Sequence, residues 1–148
     1  MKKHLAGLVL LALAGCAAPP PPPPVLSLTI TGSAGQNPDP AGHGTTVAIR
    51  LYQLTATGKF QSTDVYSLMG QESAVLGTSE AGASEQILLA PGQSLQERRR
   101  LKPAVTALGV AVLFRDINHS TWKLVAPVAP SGTTALTLRI NGLTATLQ

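Results

Sequence analysis

The chain has 148 residues and a formal net charge of +4; 44% of it is hydrophobic, 12% charged and only 3% aromatic. That length holds one domain. Scarce aromatics and the lack of a broad basic stripe argue against nucleic-acid binding, and a single cysteine rules out an intramolecular disulfide.

Met1-Lys2-Lys3-His4 is a short basic start, and Leu5 to Ala14 follows without a charge. These are the n-region and h-region of a secretory signal. The apolar run is too short to cross a hydrocarbon core, which needs roughly 20 residues. Leu13-Ala14-Gly15-Cys16 resembles the lipobox of bacterial lipoproteins. Small residues ahead of the cysteine let the chain lie extended in the signal peptidase, and the Cys16 thiol accepts a diacylglyceryl group. Residues 1–15 are therefore expected to be a cleaved signal peptide, and Cys16 the lipidation site. A diacylated and N-acylated cysteine carries three chains, more than the roughly two signals that stable anchoring needs. Bacterial lipoproteins kept at the inner membrane tend to have Asp after the cysteine, so Ala17 favours the outer membrane. Losing Lys2 and Lys3 with the signal lowers the formal charge from +4 to +2.

Pro19 to Pro24 is an unbroken proline run. Proline fixes φ and has no N–H to donate, so the run predicts a polyproline II rod, roughly 20 Å long at ~3.1 Å per residue. Residues 16–24 thus read as lipidated cysteine plus stiff tether, with a ligand for a proline-binding module as the lesser alternative. Residues 25–148 read as the folded domain.

From Val25 the pattern is β. Leu26, Leu28 and Ile30 alternate with polar residues, which marks a half-buried strand. Residues 32–44 are rich in Gly, Pro, Asn and Asp and form a loop; it is long for a compact domain, and such loops are often functional. Val47, Ile49 and Leu51 alternate again. Between Phe60 and Met69 the alternation fails. Ser62, Thr63 or Asp64 can cap a short helix there, with Val65, Leu68 and Met69 on one face. Residues 70–84 are Gly- and Ser-rich and read as loop. Ile87-Leu88-Leu89 is a strand closed by Pro91-Gly92. Residues 93–102 contain a capping-box pattern, Ser94 to Glu97, but no apolar helical stripe follows, so they read as extended.

Leu108 to Phe114 is almost wholly apolar and predicts a central strand. A turn at 116–120 follows, then a strand in which Trp122 and Leu124 share a face, with Trp122 expected in the core. Leu136, Leu138 and Ile140 alternate up to Asn141-Gly142, a two-residue hairpin turn, and Leu143, Ala145 and Leu147 return. Some seven short strands predict an all-β, two-sheet antiparallel β-sandwich with a short helical insertion. Arg98-Arg99-Arg100 is the one dense basic cluster. It reads as a solvated turn or edge-strand surface, with lipid headgroups or an acidic partner as the alternative.

No catalytic constellation emerges. Outside the signal, histidine occurs at His43 and His119, both in turns and neither with a ligand at metal spacing. Asp64 and Glu72 are not set as an acid/base pair. There is neither a Gly-x-Ser-x-Gly elbow nor a phosphate-binding glycine loop. The expectation is a non-enzyme with no metal, no cofactor and no small-molecule substrate.

Several segments together resemble one family. Val47-Ala48-Ile49-Arg50-Leu51-Tyr52-Gln53-Leu54 resembles the Arg-Leu-Tyr-Gln-Leu signature of TssJ, the outer-membrane lipoprotein of type VI secretion systems. Phe60, Val65, Tyr66 and Leu68 are similar to that family's short helix, and Leu88 to Gly92 to its strand ending in Pro-Gly. Gly109 to Asp116, followed by Trp122-Lys123, resembles its Gly-Val-x-Ala-x-Phe-Arg-Asp block and Trp-Arg, with Lys123 where Arg is common. The resemblance implies a transthyretin-like sandwich with a structural role, on the periplasmic face of the outer membrane. It implies binding to the periplasmic C-terminal region of TssM, an inner-membrane protein, through the first inter-strand loop. Carried over, that places Gln36, Asn37, Pro38, Asp39, Gly42 and His43 at the contact. The alternatives are a generic periplasmic sandwich lipoprotein that captures a small ligand or envelope component, and a lipid-anchored hydrolase.

Overall fold

The computed structural model describes residues 18–148, and the expected signal peptide and Cys16 lie outside the described residues. The strands are β1 (Pro24–Gly32), β2 (Val47–Leu54), β3 (Glu85–Leu89), β4 (Ser94–Arg100), β5 (Ala107–Leu113), β6 (Lys123–Pro127), β7 (Gly132–Asn141) and β8 (Thr144–Leu147). Between β2 and β3 lie three short helices, α1 (Gly58–Ser62), α2 (Val65–Gly70) and α3 (Glu72–Leu76). The strands form two four-stranded sheets, ordered β4-β1-β7-β8 and β3-β2-β5-β6. The expected all-β sandwich with a short helical insertion is the observed one.

One pairing departs from the expected antiparallel pattern: β1 runs parallel to β7. Parallel neighbours cannot be joined by a hairpin. Here the chain passes through the second sheet and back before β7 comes to lie beside β1. Alternation marks which face a residue occupies but carries no strand direction, so this pairing left no mark in the pattern.

The inner core is built by the residues whose alternation predicted it. Leu26, Leu28 and Ile30 of β1 meet Val47, Ile49 and Leu51 of β2, Leu108, Val110 and Val112 of β5, and Leu138 and Ile140 of β7. Each buried aliphatic side chain contributes about 1.5–3 kcal/mol. β2 and β5 are buried on both faces, because Tyr52, Leu54, Ala107 and Ala111 point outward into a second core with Phe60, Leu68 and Leu76. The helices come close because β5 offers Ala107, Gly109 and Ala111 on that face, small side chains beneath Phe60. A Cβ on Gly109 would lie 2.9 Å from Leu54 and 3.1 Å from the Phe60 ring.

Residues 70–84 were expected to be loop; the structure corrects this to α3 and a 3-10 turn at Gly77–Ser79. Five residues are too few to show a helical period, and the segment is fixed instead by the burial of Leu76. Asp64 caps α2 as expected, its Oδ1 accepting from the amides of Tyr66 and Ser67 at 2.9 Å each. Lys123 Nζ donates to the carbonyls of Gln61 and Thr63 at 2.6 and 2.7 Å, tying the end of α1 to β6. It also lies over the Trp122 ring, 5.0 Å from its centroid. Trp122, expected in the sandwich core, is half-buried at the margin where both cores meet.

Beneath the helices, Arg50 pairs with Glu72 at 3.2 Å, and Glu72 accepts from the Ser84 hydroxyl and amide. Burial, reinforced by the negative charge of Glu72, pushes Glu80 up to about 7. A carboxyl raised in the folded state favours its protonated form, so its contribution to stability declines as pH rises from the ordinary carboxylate value through about 7. Glu80→Gln should remove that decline. Thermal melts should show equal stability near pH 4 and a variant more stable by up to roughly 1 kcal/mol at pH 8. Phe60→Ala should cost about 3–5 kcal/mol in urea denaturation, because the helices cannot close onto β2 and β5 without the ring.

Candidate functional site

The strand directions give the sandwich two distinct ends. At one end, Pro24 leads in from the proline run, β4 leads out through residues 101–106, and β6 passes to β7 through 128–131. The Leu101 amide donates to the Pro24 carbonyl at 2.9 Å, and the Gly132 amide to the Pro22 carbonyl at 3.4 Å. The last prolines are thus stitched to the domain, and this is the tether end. At the opposite end lie the β1–β2 loop (33–46), the β3–β4 turn (90–93), the β5–β6 turn (114–122) and the β7–β8 hairpin (141–143). This is the loop end. β1 separates the two by nine residues, roughly 30 Å at ~3.3 Å per residue.

The six candidate residues of the β1–β2 loop fall into two groups. Gln36 and Asn37 are buried, with 0% and 3% exposure, which corrects the expectation that their side chains face a partner. Gln36 Nε2 donates to the Leu89 carbonyl at 2.8 Å, tying the loop to the end of β3. Asn37 uses its whole side-chain amide. Its Nδ2 donates to the Thr46 carbonyl at 2.9 Å and to Thr45 Oγ1 at 3.0 Å, and its Oδ1 accepts from the Arg115 amide at 2.8 Å. Its backbone amide donates to the Gly142 carbonyl at 2.8 Å. One residue thereby joins the β1–β2 loop, the β5–β6 turn and the β7–β8 hairpin. It does so with φ at +47°, a conformation that asparagine tolerates better than most side chains.

Pro38, Asp39, Gly42 and His43 form the tip beyond these two anchors. Asp39 Oδ1 accepts from the amides of Ala41 and His43 at 2.9 Å each. The Asp39 amide donates to the His43 carbonyl at 2.8 Å, and the Gly42 amide to the Asp39 carbonyl at 2.9 Å. The hydrogen bond from the His43 amide, helped by the one from Ala41, outweighs desolvation and holds Asp39 below the usual carboxylate value. The tip is a closed ring of hydrogen bonds on a buried footing. The two limbs of the loop also touch: a Cβ on Gly44 would fall 1.9 Å from the Ala34 carbonyl oxygen.

Pro38, Asp39 and Pro40 face Arg115, Asp116 and Leu143 across a cleft of about 430 Å³. This arrangement presents rigid backbone, a carboxylate and a guanidinium on one surface, with no nucleophile and base set against each other. His119, in the same β5–β6 turn, lies 2.8 Å from Asp116 and is largely exposed.

A family model for type VI secretion lipoproteins, the group that includes VasD, EvfM and TssJ, matches residues 24–143. The chain belongs to this family. The matched span runs from the first residue of β1 through the β7–β8 hairpin and contains the whole loop end. The family is one of structural secretion lipoproteins, not enzymes. No curated protein sequence matches the chain. Among solved structures, the TssJ1 lipoprotein of Pseudomonas aeruginosa is similar, with a TM-score of 0.82 and 24% identity over 86% of this chain and 96% of that one. A chain of a type VI membrane complex is similar with a TM-score of 0.74 and 28% identity, over 84% of this chain and 98% of that one. A chain from the structure described as the TssM C-terminal domain of EAEC gives 0.67 and 28%, with the same coverage.

Sequence reasoning missed three members of this family member's loop end: Arg115, Asp116 and Leu143. Arg115 and Asp116 close the Gly-Val-x-Ala-x-Phe-Arg-Asp block, where the pattern puts Asp116 at the start of a turn and gives Arg115 no role. Their approach to Asp39 depends on the Asn37–Arg115 bond across 78 residues of sequence. Nothing local announces that bond.

Asn37→Ala strands the Arg115 amide and the Thr46 carbonyl. It should cost about 1–3 kcal/mol in denaturant unfolding, and amide exchange of Thr45 should accelerate more than that of the strands. His43→Ala touches only the exposed tip and should change stability by less than ~0.5 kcal/mol.

Proposed function

We propose that this lipoprotein is cleaved before Cys16, acylated there, and anchored at the periplasmic face of the outer membrane. It binds the periplasmic C-terminal region of a TssM-like inner-membrane protein and so completes an envelope-spanning complex. The contact is the tip of the β1–β2 loop, Pro38 to His43, with Arg115, Asp116 and Leu143 beside it.

The observation that carries this reading is the buried footing of Gln36 and Asn37. A loop ordered before contact loses little conformational entropy on binding, which is where preorganised surfaces gain affinity. Family membership gives the secretion role, and relatives at 28% identity come from structures described as a type VI membrane complex and a TssM C-terminal domain. The position of the tip also supports it. The lipid leaves from one end of the sandwich and the tip stands at the other, so anchoring at one membrane leaves the tip facing away from it.

A deletion of residues 33–42 would remove Gln36 and Asn37 and so test folding and binding together. Tip substitutions separate the two. The lipid-free chain from residue 18, carrying Pro38→Ala and Asp39→Arg, should keep its β-sheet circular dichroism and lose at least tenfold in affinity for the periplasmic region of TssM, as read by calorimetry. Unchanged affinity would exclude the tip as the contact. For the anchor, Cys16→Ser should abolish acylation by mass spectrometry and release the protein from the membrane fraction.

A further inference from the structure

The two ends of the sandwich carry different charged clusters. The loop end holds Asp39 and Asp116 against Arg115. The tether end holds Arg98, Arg99 and Arg100 at the close of β4, followed by Lys102, with Glu80 and Glu85 on the other sheet. Arg99 points between the sheets and is committed to Glu85 and Glu97. Arg98 and Arg100 point outward on the exposed face, and Lys102 is exposed just beyond; none of the three forms an ion pair among the described residues. Their cross-strand neighbours are uncharged: Arg100 lies opposite Val25 and Arg98 opposite Ser27, with Thr133 and Ala135 on the next strand.

β4 is also the free edge of its sheet. Charged residues on an edge strand deter pairing with another chain, and that accounts for charge on β4 in general. It does not account for three unpaired cations, Arg98, Arg100 and Lys102, lying within five residues of one another at the end from which the tether leaves. The tether is short as well. Six residue steps separate Cys16 from Pro22, whose carbonyl is already bonded to Gly132, which limits the reach to roughly 20 Å even when extended. Arg98 lies only two residues, roughly 7 Å, up the strand from Arg100. A steep tilt of the rod brings both side chains within a screening length of ~8–10 Å of a membrane surface.

We propose that Arg98, Arg100 and Lys102 dock the tether end onto anionic phospholipid headgroups of the leaflet that holds the lipid anchor. Docking turns a swinging tether into an oriented mount, with the β1–β2 loop held away from the membrane. This rests on the acylation of Cys16 proposed above. The occupant is a phospholipid surface because that is the surface to which the chain is joined, and because basic residues next to an anchor each add about 1 kcal/mol toward anionic lipid, a factor of about five.

The test uses the full acylated chain in vesicles. Acylation consumes the Cys16 thiol, so Thr133→Cys provides one labelling site at the tether end for a fluorophore, read against a lipid with a quencher on its headgroup. Flotation with pure phosphatidylcholine vesicles reports the anchor alone. Adding phosphatidylglycerol should raise quenching several-fold, and raising salt from ~0.1 M to ~1 M should reverse it as the screening length falls from ~10 to ~3 Å. Each of Arg98→Gln, Arg100→Gln and Lys102→Gln should lower the docked-to-free ratio about fivefold, and all three together on the order of a hundredfold. A chain that floats but quenches equally in neutral and anionic vesicles, or whose triple variant behaves like the parent, overturns the docking and leaves the anchor standing. A chain that does not float removes the anchor and the docking with it.

Discussion

The loop end of this sandwich depends on one buried side-chain amide. Asn37 sits where three chain segments converge, and its amide fills a donor or acceptor vacancy on two of them while its backbone serves the third. A buried backbone group without a partner costs about 1–3 kcal/mol, so this residue does more than decorate a loop. With Gln36 it fixes where the loop begins and which way its tip faces. The shape of the tip follows from that footing: the hydrogen-bonded ring around Asp39, the approach of Arg115 and Asp116, and the shallow cleft between them.

The rest of the molecule sets that end apart from the proline run. Two cores, one between the sheets and one under the helices, bury β2 and β5 on both faces and stiffen the body. The proline run is stitched to the opposite end. The proline run, the body and the tip of the β1–β2 loop therefore lie in series. A protein built this way has no need of a catalytic pocket, which agrees with its membership of a family of structural secretion lipoproteins.

Much of this was legible in the sequence, and what was not has physical reasons. Strands such as β1 and β7 were readable because alternating apolar residues record which face is buried. The parallel pairing of β1 with β7 was not, since alternation holds no direction. Asp64 was readable as a cap because capping is local, whereas α3 was too short to show a period. The site divided in the same way. Proline, glycine and aspartate marked residues 32–44 as a loop, and the family resemblance marked it as a contact. But Gln36 and Asn37 looked like surface polar residues, and only long-range partners at Leu89 and Arg115 reveal them as buried struts. Local chemistry reports exposure by default for a polar residue in a loop, and tertiary hydrogen bonding overrides it.

Amide hydrogen exchange of the lipid-free chain, alone and with the periplasmic region of TssM, tests the central claim most directly. In the free protein the amides of Asn37 and Thr45 should exchange slowly, like those of the strands. On binding, the tip from Ala41 to His43 and the neighbouring Arg115–Asp116 turn should gain protection, while the tether end stays unchanged. Rapid exchange at Asn37 and Thr45 before binding, or protection gained elsewhere with the tip unaffected, would contradict the account.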